Sequence, residues 1–142
     1  MVGILLITHN GLGDSLIDCV RHVIGSVPPH LKALSVLAHD DPAQKEAEGR
    51  ALIAQLDSGR GVLLLSDVFG ATPCNIARRL RQPGRVEGVA GVNLPMLLRV
   101  SCYCNKPLDE LVQRALAGGK ECIVSIDIDL EGCDVATGCA DN

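Results

Sequence analysis

The sequence predicts an α/β fold, a doubly wound and mainly parallel sheet flanked by helices. Short apolar runs alternate with segments whose apolar residues recur at helical spacing, in the order βαβαβαβααβ. Hydrophobic residues make up 47 % of the chain, yet there is no Trp, one Phe and one Tyr, so the core must be aliphatic. Strands joined by helices imply right-handed crossovers and therefore parallel pairing.

The first strand runs from Val2 to His9 and ends on a histidine that glycines follow at once. Apolar residues then recur at helical spacing, which predicts a helix from Gly13 to about Gly25. Two prolines, Pro28 and Pro29, prevent that helix from continuing. This first unit therefore places an imidazole at the carboxyl end of a strand, where ligands bind in open parallel sheets.

The second unit is a strand over Leu31–Leu37 followed by a capped helix. Asp41 is expected to cap that helix, with Pro42 in the first helical position and Gln44 completing a capping box. The helix should extend to about Asp57, because glycine follows shortly afterwards.

The third strand, Gly61–Asp67, is apolar on both faces, as expected for a strand between two helical layers. It also ends on a polar residue, which makes Asp67 the counterpart of His9. The next helix should begin with Thr72 as its cap and Pro73 in its first turn, so that its amino terminus points at the same edge of the sheet.

The remaining elements complete the pattern. We expect a fourth strand, two short helices and a fifth strand, at Val86–Val92, Pro95 to about Cys104, Leu108–Ala117 and Cys122–Ile128. The polar, aperiodic residues after Ile128 cannot bury much apolar surface. Residues 1–128 are therefore predicted to form one domain, and residues 129–142 a flexible tail.

Composition excludes several classes of protein. The net charge of −4 and the lack of basic clusters with interleaved aromatic residues argue against a nucleic-acid surface. Seven cysteines, an odd number without CxxC spacing, speak against a disulfide framework and a zinc site. No apolar run is long enough to cross a bilayer, and no basic segment precedes the first strand. The protein is expected to be cytoplasmic.

The dense basic patch Arg78, Arg79 and Arg81 has two interpretations. Cations near the end of a helix interact favourably with the helix dipole, so a solvated helix end is the first. A docking face for an acidic protein partner is the second.

The ends of the first and third strands suggest a phosphoryl site. If these strands are neighbours across the switch point of the sheet, His9 and Asp67 come together, since adjacent strands lie only about 5 Å apart. An aspartate that accepts a hydrogen bond from one ring nitrogen fixes the tautomer and leaves the other nitrogen as a nucleophile. The bland alternative is that His9 merely ends a strand and Asp67 caps a loop.

The loop after Asp67 supplies donors for the phosphoryl oxygens. The N–H groups around Gly70, Ala71 and Thr72, the Thr72 hydroxyl and the helix that follows Gly11 are suited to an anion. The sequence lacks an acidic cluster for magnesium, so neither a metal nor a cofactor is expected.

Other histidines and cysteines are weaker candidates. His22, His30 and His39 are expected at the surface or half-buried, rather than as ligands. Cys74, at the start of a helix, is expected to be a small buried hydrophobe rather than a reactive thiol. Cys102 and Cys104, which flank Tyr103, are interpreted as structural, with incidental oxidation or metal affinity as the alternative.

Three motifs resemble the IIA component of the mannose-type bacterial phosphotransferase system. They are Ile7-Thr8-His9, the block from Gly61 to Asn75, and Gly91 to Leu97, and the resemblance extends from Val2 to about Ile126. It implies a phosphotransferase with a phosphohistidine intermediate. His9 would take phosphate from a histidine-containing phosphocarrier protein and pass it to a IIB protein or domain. Asp67 would orient it, and Thr72 would lie near the phosphate.

The resemblance also implies a homodimer, in which Cys122–Ile128 would be a strand exchanged between subunits, and only indirect contact with a membrane through a permease. Asn10 stands where the family commonly has glycine, and Phe69 where it has a larger aromatic residue. No IIB-like domain or Pro/Ala-rich linker is expected after the tail, so two roles are expected as alternatives, sugar uptake and the reporting of phosphorylation state to a regulatory partner. Two alternatives stay open: a phosphotransferase subunit of dihydroxyacetone kinase, and a non-catalytic regulatory module.

Overall fold

The computed structural model describes residues 1–127, which form one parallel sheet between two layers of helices. The strands are β1 (Gly3–His9), β2 (Leu31–Val36), β3 (Val62–Ser66) and β4 (Val86–Ala90). The helices are α1 (Leu12–Ile24), α2 (Pro42–Leu56), α3 (Thr72–Leu80), α4 (Leu94–Cys102) and α5 (Leu108–Glu121). This confirms the predicted α/β class.

The sheet has the order β2-β1-β3-β4, and all its strand pairs are parallel. The chain moves from β1 to β2 on one side and then to β3 on the other, so the switch point lies between β1 and β3. In the register of these two strands, Ile7 pairs with Ser66. The predicted neighbourhood of the first and third strands is therefore confirmed, and their carboxyl ends meet at one edge.

Alternation along the strands builds two aliphatic cores, one on each face of the sheet. Leu63 and Leu65 of β3 face the core with α1, α4 and α5, whereas Val62 and Leu64 face the core with α2 and α3. These four side chains are fully buried. Close helix packing depends on glycine: a Cβ on Gly3 would lie 2.8 Å from the backbone oxygen of Leu56, where α2 ends against β1.

Most predicted helix ends agree with the structure within a few residues. Gly25 ends α1 in the left-handed conformation, with φ of 95°. Asp41 caps α2 by accepting a hydrogen bond from the Ala43 N–H at 3.1 Å. Helix α4 begins one residue before the predicted start, because Asn93 caps it through the Met96 N–H at 3.0 Å. Helix α5 continues to Glu121, past the predicted end.

The predicted fifth strand is wrong for the residues that the structure describes. Residues 122–127 follow α5 without forming a strand. Ile123 and Ile126 there are exposed, with relative accessibilities of 74 % and 102 %. A strand needs hydrogen-bond partners on a neighbouring strand, and this segment pairs with none among residues 1–127. The predicted flexible tail, residues 129–142, lies outside the described residues.

The described cysteines differ in their state. Cys19, Cys74 and Cys104 carry free thiols, whereas Cys102 is disulfide-bonded. Among residues 1–127, no helix is both long and apolar enough to span a membrane.

Candidate active site

The structure brings His9 and Asp67 into direct contact at the carboxyl edge of the sheet. His9 Nδ1 lies 2.7 Å from Asp67 Oδ2, and the same oxygen accepts the His9 backbone N–H at 3.0 Å. The Asp67 side chain is mostly covered, whereas the His9 ring is 46 % exposed. One ring edge is thus held by the protein, and the other faces solvent.

The protonation state of Asp67 decides the tautomer of His9. Burial alone would raise the pKa of the Asp67 carboxyl. The hydrogen bonds from the His9 backbone, the His9 ring and the Val68 N–H outweigh burial and hold the pKa below its ordinary value. Asp67 is therefore an anionic acceptor near neutral pH, so Nδ1 of His9 must donate. In the neutral ring, Nε2 then carries the lone pair.

The turn between β1 and α1 holds His9 in place. Thr8 is fully buried, and its Oγ1 accepts the Gly13 N–H at 2.9 Å, which ties the strand to the first turn of the helix. Between them, Asn10 has a φ of 49°, a left-handed conformation unusual for a residue other than glycine. Its backbone N–H donates to Val36 O at 3.0 Å.

Sequence reasoning missed the role of Thr8. A hydroxyl residue in a buried strand, followed within a few residues by a helix-starting glycine, is the signal that would have indicated it. The bond also takes up the Gly13 N–H. The amino terminus of α1 therefore has fewer donors for an anion than the glycines suggested.

The loop after β3 presents the amino terminus of α3 beside this pair. Gly70 has a φ of 90°, which favours glycine. Ala71, not Thr72, is the N-cap, and no side chain caps this helix. The prediction of Thr72 as cap is wrong, because Thr72 is already helical and Pro73 occupies the second position. The uncapped first turn leaves backbone N–H groups for another acceptor.

Apolar side chains are exposed around the edge that carries His9. Leu12, Leu37, Val68 and Phe69 follow the carboxyl ends of three strands, and Phe69 is 73 % exposed. The Arg78 guanidinium lies 5.8 Å from the centroid of the Phe69 ring, a cation–π contact. The basic patch thus adjoins this apolar rim.

The remaining candidates lie apart from the pair. His22 and His39 are exposed, as expected. Cys74 is buried, which agrees with the expectation of a small hydrophobe. His30 contacts Cys104, with Nε2 and Sγ 3.1 Å apart. Within residues 1–127, no three His, Cys, Asp or Glu side chains are grouped to hold a metal ion.

The fold and the pair define a class, the doubly wound α/β proteins with a carboxylate-supported histidine at the switch point. The sequence matches the family model described as "PTS system fructose IIA component" over residues 3–116. The chain belongs to this family, the mannose-type IIA components of the phosphotransferase system. The resemblance inferred from the motifs is confirmed.

Proteins similar in sequence support this family assignment. The "PTS system mannose-specific EIIAB component" of Escherichia coli strain K12 is 28 % identical over 123 residues, which cover 84 % of this chain and 38 % of that protein. The chain therefore spans about two fifths of the length of the curated relatives it matches.

Solved structures share the fold. The phosphotransferase component EIIA from Streptococcus agalactiae superposes with a TM-score of 0.79 at 19 % identity, covering 88 % of this chain and 97 % of that one. The mannose/sorbose-specific IIA subunit from Enterococcus faecalis gives a TM-score of 0.78 at 23 % identity, covering 91 % and 97 %.

Proposed function

We propose that this chain is a phosphoryl carrier of the phosphoenolpyruvate-dependent sugar phosphotransferase system. His9 accepts the phosphoryl group from the histidine-containing phosphocarrier protein and passes it to a IIB protein or domain. The observation that carries the proposal is the contact of 2.7 Å between His9 Nδ1 and Asp67 Oδ2, with the opposite ring edge exposed. A buried histidine, or one without the carboxylate, would not support it.

The chemical step uses the lone pair on His9 Nε2. This nitrogen attacks phosphorus in line, forming an N–P bond, while the N–P bond to the donor histidine breaks and its electrons return to the donor ring. The Nδ1 proton stays on His9, hydrogen-bonded to Asp67. The anionic carboxylate stabilises the positive charge that the imidazole gains on attack. Transfer to the acceptor reverses these events with a new nucleophile.

The oxygens of the phosphoryl group need donors, because phosphoryl transfer depends mainly on positioning and charge stabilisation. We assign this role to the loop and first turn at Gly70, Ala71 and Thr72. The uncapped amino terminus of α3 supports the assignment, since a helix of nine residues offers unpaired N–H groups and a partial positive charge there.

Phosphorylation of the intact protein tests the proposal. The chain is mixed with phosphoenolpyruvate, the general phosphotransferase enzyme and the phosphocarrier, and its intact mass is measured. We expect one added phosphate that is labile in acid and absent from His9→Ala. His22→Ala, which removes an exposed histidine of α1, is the matched control and should be labelled like the original chain. An unchanged mass with competent donors contradicts the proposal.

The acceptor distinguishes the alternatives. Transfer to a IIB protein supports the proposed role in sugar uptake or its regulation, whereas transfer only to dihydroxyacetone-kinase subunits supports the second phosphotransferase role. A non-catalytic module would never be phosphorylated, and His9→Ala would leave its partner binding intact. The phosphocarrier and IIB proteins act in the cytoplasm, so we propose that location as well.

We also propose that the chain forms a homodimer in which the segment after α5 pairs with the partner subunit. Strand β4 is at the edge of the sheet, and an unpaired edge is prone to association. The exposed Ile123 and Ile126 lie on the segment after α5, which pairs with no strand within residues 1–127. Light scattering should give the mass of a dimer, and Ile126→Asp should shift it toward the monomer. A monomer at all concentrations contradicts this proposal.

A further inference from the structure

A cluster of sulfur and nitrogen donors lies at the edge of the sheet opposite His9. Cys104 Sγ is 3.1 Å from His30 Nε2 and 3.7 Å from Met1 Sδ. Main-chain hydrogen bonds fix the three segments: the Val2 N–H donates to Cys104 O and the Ile4 N–H to His30 O, both at 2.8 Å. A thioether, a thiol and an imidazole, far apart in sequence, thus meet at the amino ends of β1 and β2.

The cluster is accessible from one side. Cys104 is only 6 % exposed, but Met1 is 60 % exposed and His30 is partly exposed. An ion can therefore reach the buried sulfur from the side of Met1 and His30.

We propose that Met1 Sδ, His30 Nε2 and Cys104 Sγ form a binding site for a soft monovalent cation of the Cu(I) type. Thiolate and thioether ligands select Cu(I), and imidazole suits copper as well. With the bond lengths of zinc sites as a guide, about 2.3 Å to sulfur and about 2.0 Å to nitrogen, a planar three-coordinate ion holds two sulfur donors about 4.0 Å apart and a sulfur and a nitrogen about 3.7 Å apart. The two sulfur atoms, at 3.7 Å, are within about 0.3 Å of that spacing.

The imidazole has to move farthest. The 3.1 Å between His30 Nε2 and Cys104 Sγ must open to admit the ion, which requires about 0.6 Å by the same bond lengths. His30 is at the end of the loop that precedes β2 and is partly exposed, so its ring has room to shift. The buried sulfur can keep its place.

The donor set also disfavours divalent ions that are harder than Cu(I). Zinc sites use thiolate, imidazole and carboxylate ligands, whereas calcium and magnesium use oxygen. This cluster supplies one thiol and one imidazole, and its third donor is a thioether. Among residues 1–127, no third His, Cys, Asp or Glu joins them.

Binding involves proton release without redox change. The S–H bond of Cys104 breaks, its electrons form the Cu–S bond and the proton passes to solvent. The lone pairs of His30 and Met1 complete the coordination, and copper remains Cu(I) throughout. Because the ion binds the folded arrangement, it should also raise the unfolding temperature.

An anaerobic titration with Cu(I), buffered by a competing chelator, tests the site on the full chain. The chain has seven cysteines, so the test follows this site by two readouts. We expect the His30 ring signals to shift at the first equivalent of Cu(I). Cys104→Ser should bind one equivalent fewer and lose that shift. Cys19→Ser, which removes an exposed thiol of α1, should match the original chain.

A second variant covers the case in which Cys104→Ser fails to fold. Met1→Leu, produced by cleavage of an amino-terminal fusion, keeps the apolar contact and removes only the sulfur donor. It should weaken Cu(I) binding at His30 by about 10- to 100-fold, the range seen when support for a metal site is lost. Unshifted His30 signals while Cu(I) binds other cysteines, or equal affinity in Met1→Leu, would overturn the proposal.

Discussion

Replacing Asp67 by asparagine should slow phosphorylation of His9 strongly while leaving the fold intact. The amide keeps the shape of the side chain but removes the negative charge from the contact of 2.7 Å with His9 Nδ1. It also lets an NH2 group face the ring nitrogen, which favours the wrong tautomer. The developing imidazolium then loses its counter-charge.

The magnitude follows from this contact. A hydrogen bond to a charged group contributes about 1.5 to 3 kcal/mol, and each 1.4 kcal/mol corresponds to about tenfold in rate. We therefore expect Asp67→Asn to accept phosphate about 10- to 100-fold more slowly. The free energy of unfolding should fall by only about 1 to 2 kcal/mol. The loss is small because the asparagine oxygen can still accept a hydrogen bond from one of the N–H groups that Asp67 binds.

The assay is the rate of mass gain after mixing with phosphorylated phosphocarrier, with urea unfolding measured in parallel. Asp14→Asn is the matched control: Asp14 lies in the first turn of α1, and its carboxylate accepts a hydrogen bond from Ser35 rather than from His9. It should be phosphorylated at the original rate. An unaltered rate in Asp67→Asn, or a loss of rate explained by unfolding, would refute the reasoning.

Three further predictions concern stability. Gly13→Ala should lower the free energy of unfolding, measured by urea denaturation, by about 1 to 3 kcal/mol, because its Cβ would lie 3.0 Å from Thr8 Oγ1. Gly11→Ala, which has open space around it, is the control and should be near neutral. Equal effects of the two variants would contradict this packing. Leu111→Ala should cost about 2 to 5 kcal/mol in the same assay, since Leu111 is fully buried; a negligible loss would contradict the core assignment. Backbone hydrogen bonds, chiefly from Gly59, lower the pKa of Asp57. Ionised Asp57 therefore adds to the free energy of unfolding at pH values above its unfolded-state pKa of about 3.9. This contribution is lost as the pH falls through the lower pKa that Asp57 has in the folded state. The stability difference between the original chain and Asp57→Asn should therefore shrink in acid, and a constant difference would contradict it.

The sheet and the site were predictable where local pattern and topology agree. Both strands with polar ends, at His9 and Asp67, are apolar along their length, and a switch point between them follows from parallel crossovers. Their side chains could then be placed together without any coordinates. The hydrogen bond between Thr8 and Gly13 could not be predicted in this way, because a hydrogen bond across a turn depends on backbone angles that residue spacing does not reveal.

The errors have physical causes of two kinds. Thr72 has the residue type of a cap, but the left-handed turn at Gly70 brings the chain into the helix one residue earlier, so that Ala71 takes the cap position. The segment predicted as the fifth strand has strand-like residues, yet strand formation also requires a neighbouring strand, and the residue pattern cannot say whether one is present.

The central claim is tested most directly by identifying the phosphorylated nitrogen. Nitrogen NMR of the 15N-labelled protein, phosphorylated through the phosphocarrier, distinguishes phosphate on the two ring atoms of His9. Because Asp67 holds Nδ1, we predict phosphate on Nε2 and a proton retained on Nδ1. Phosphate on Nδ1, or on another residue, would contradict the account.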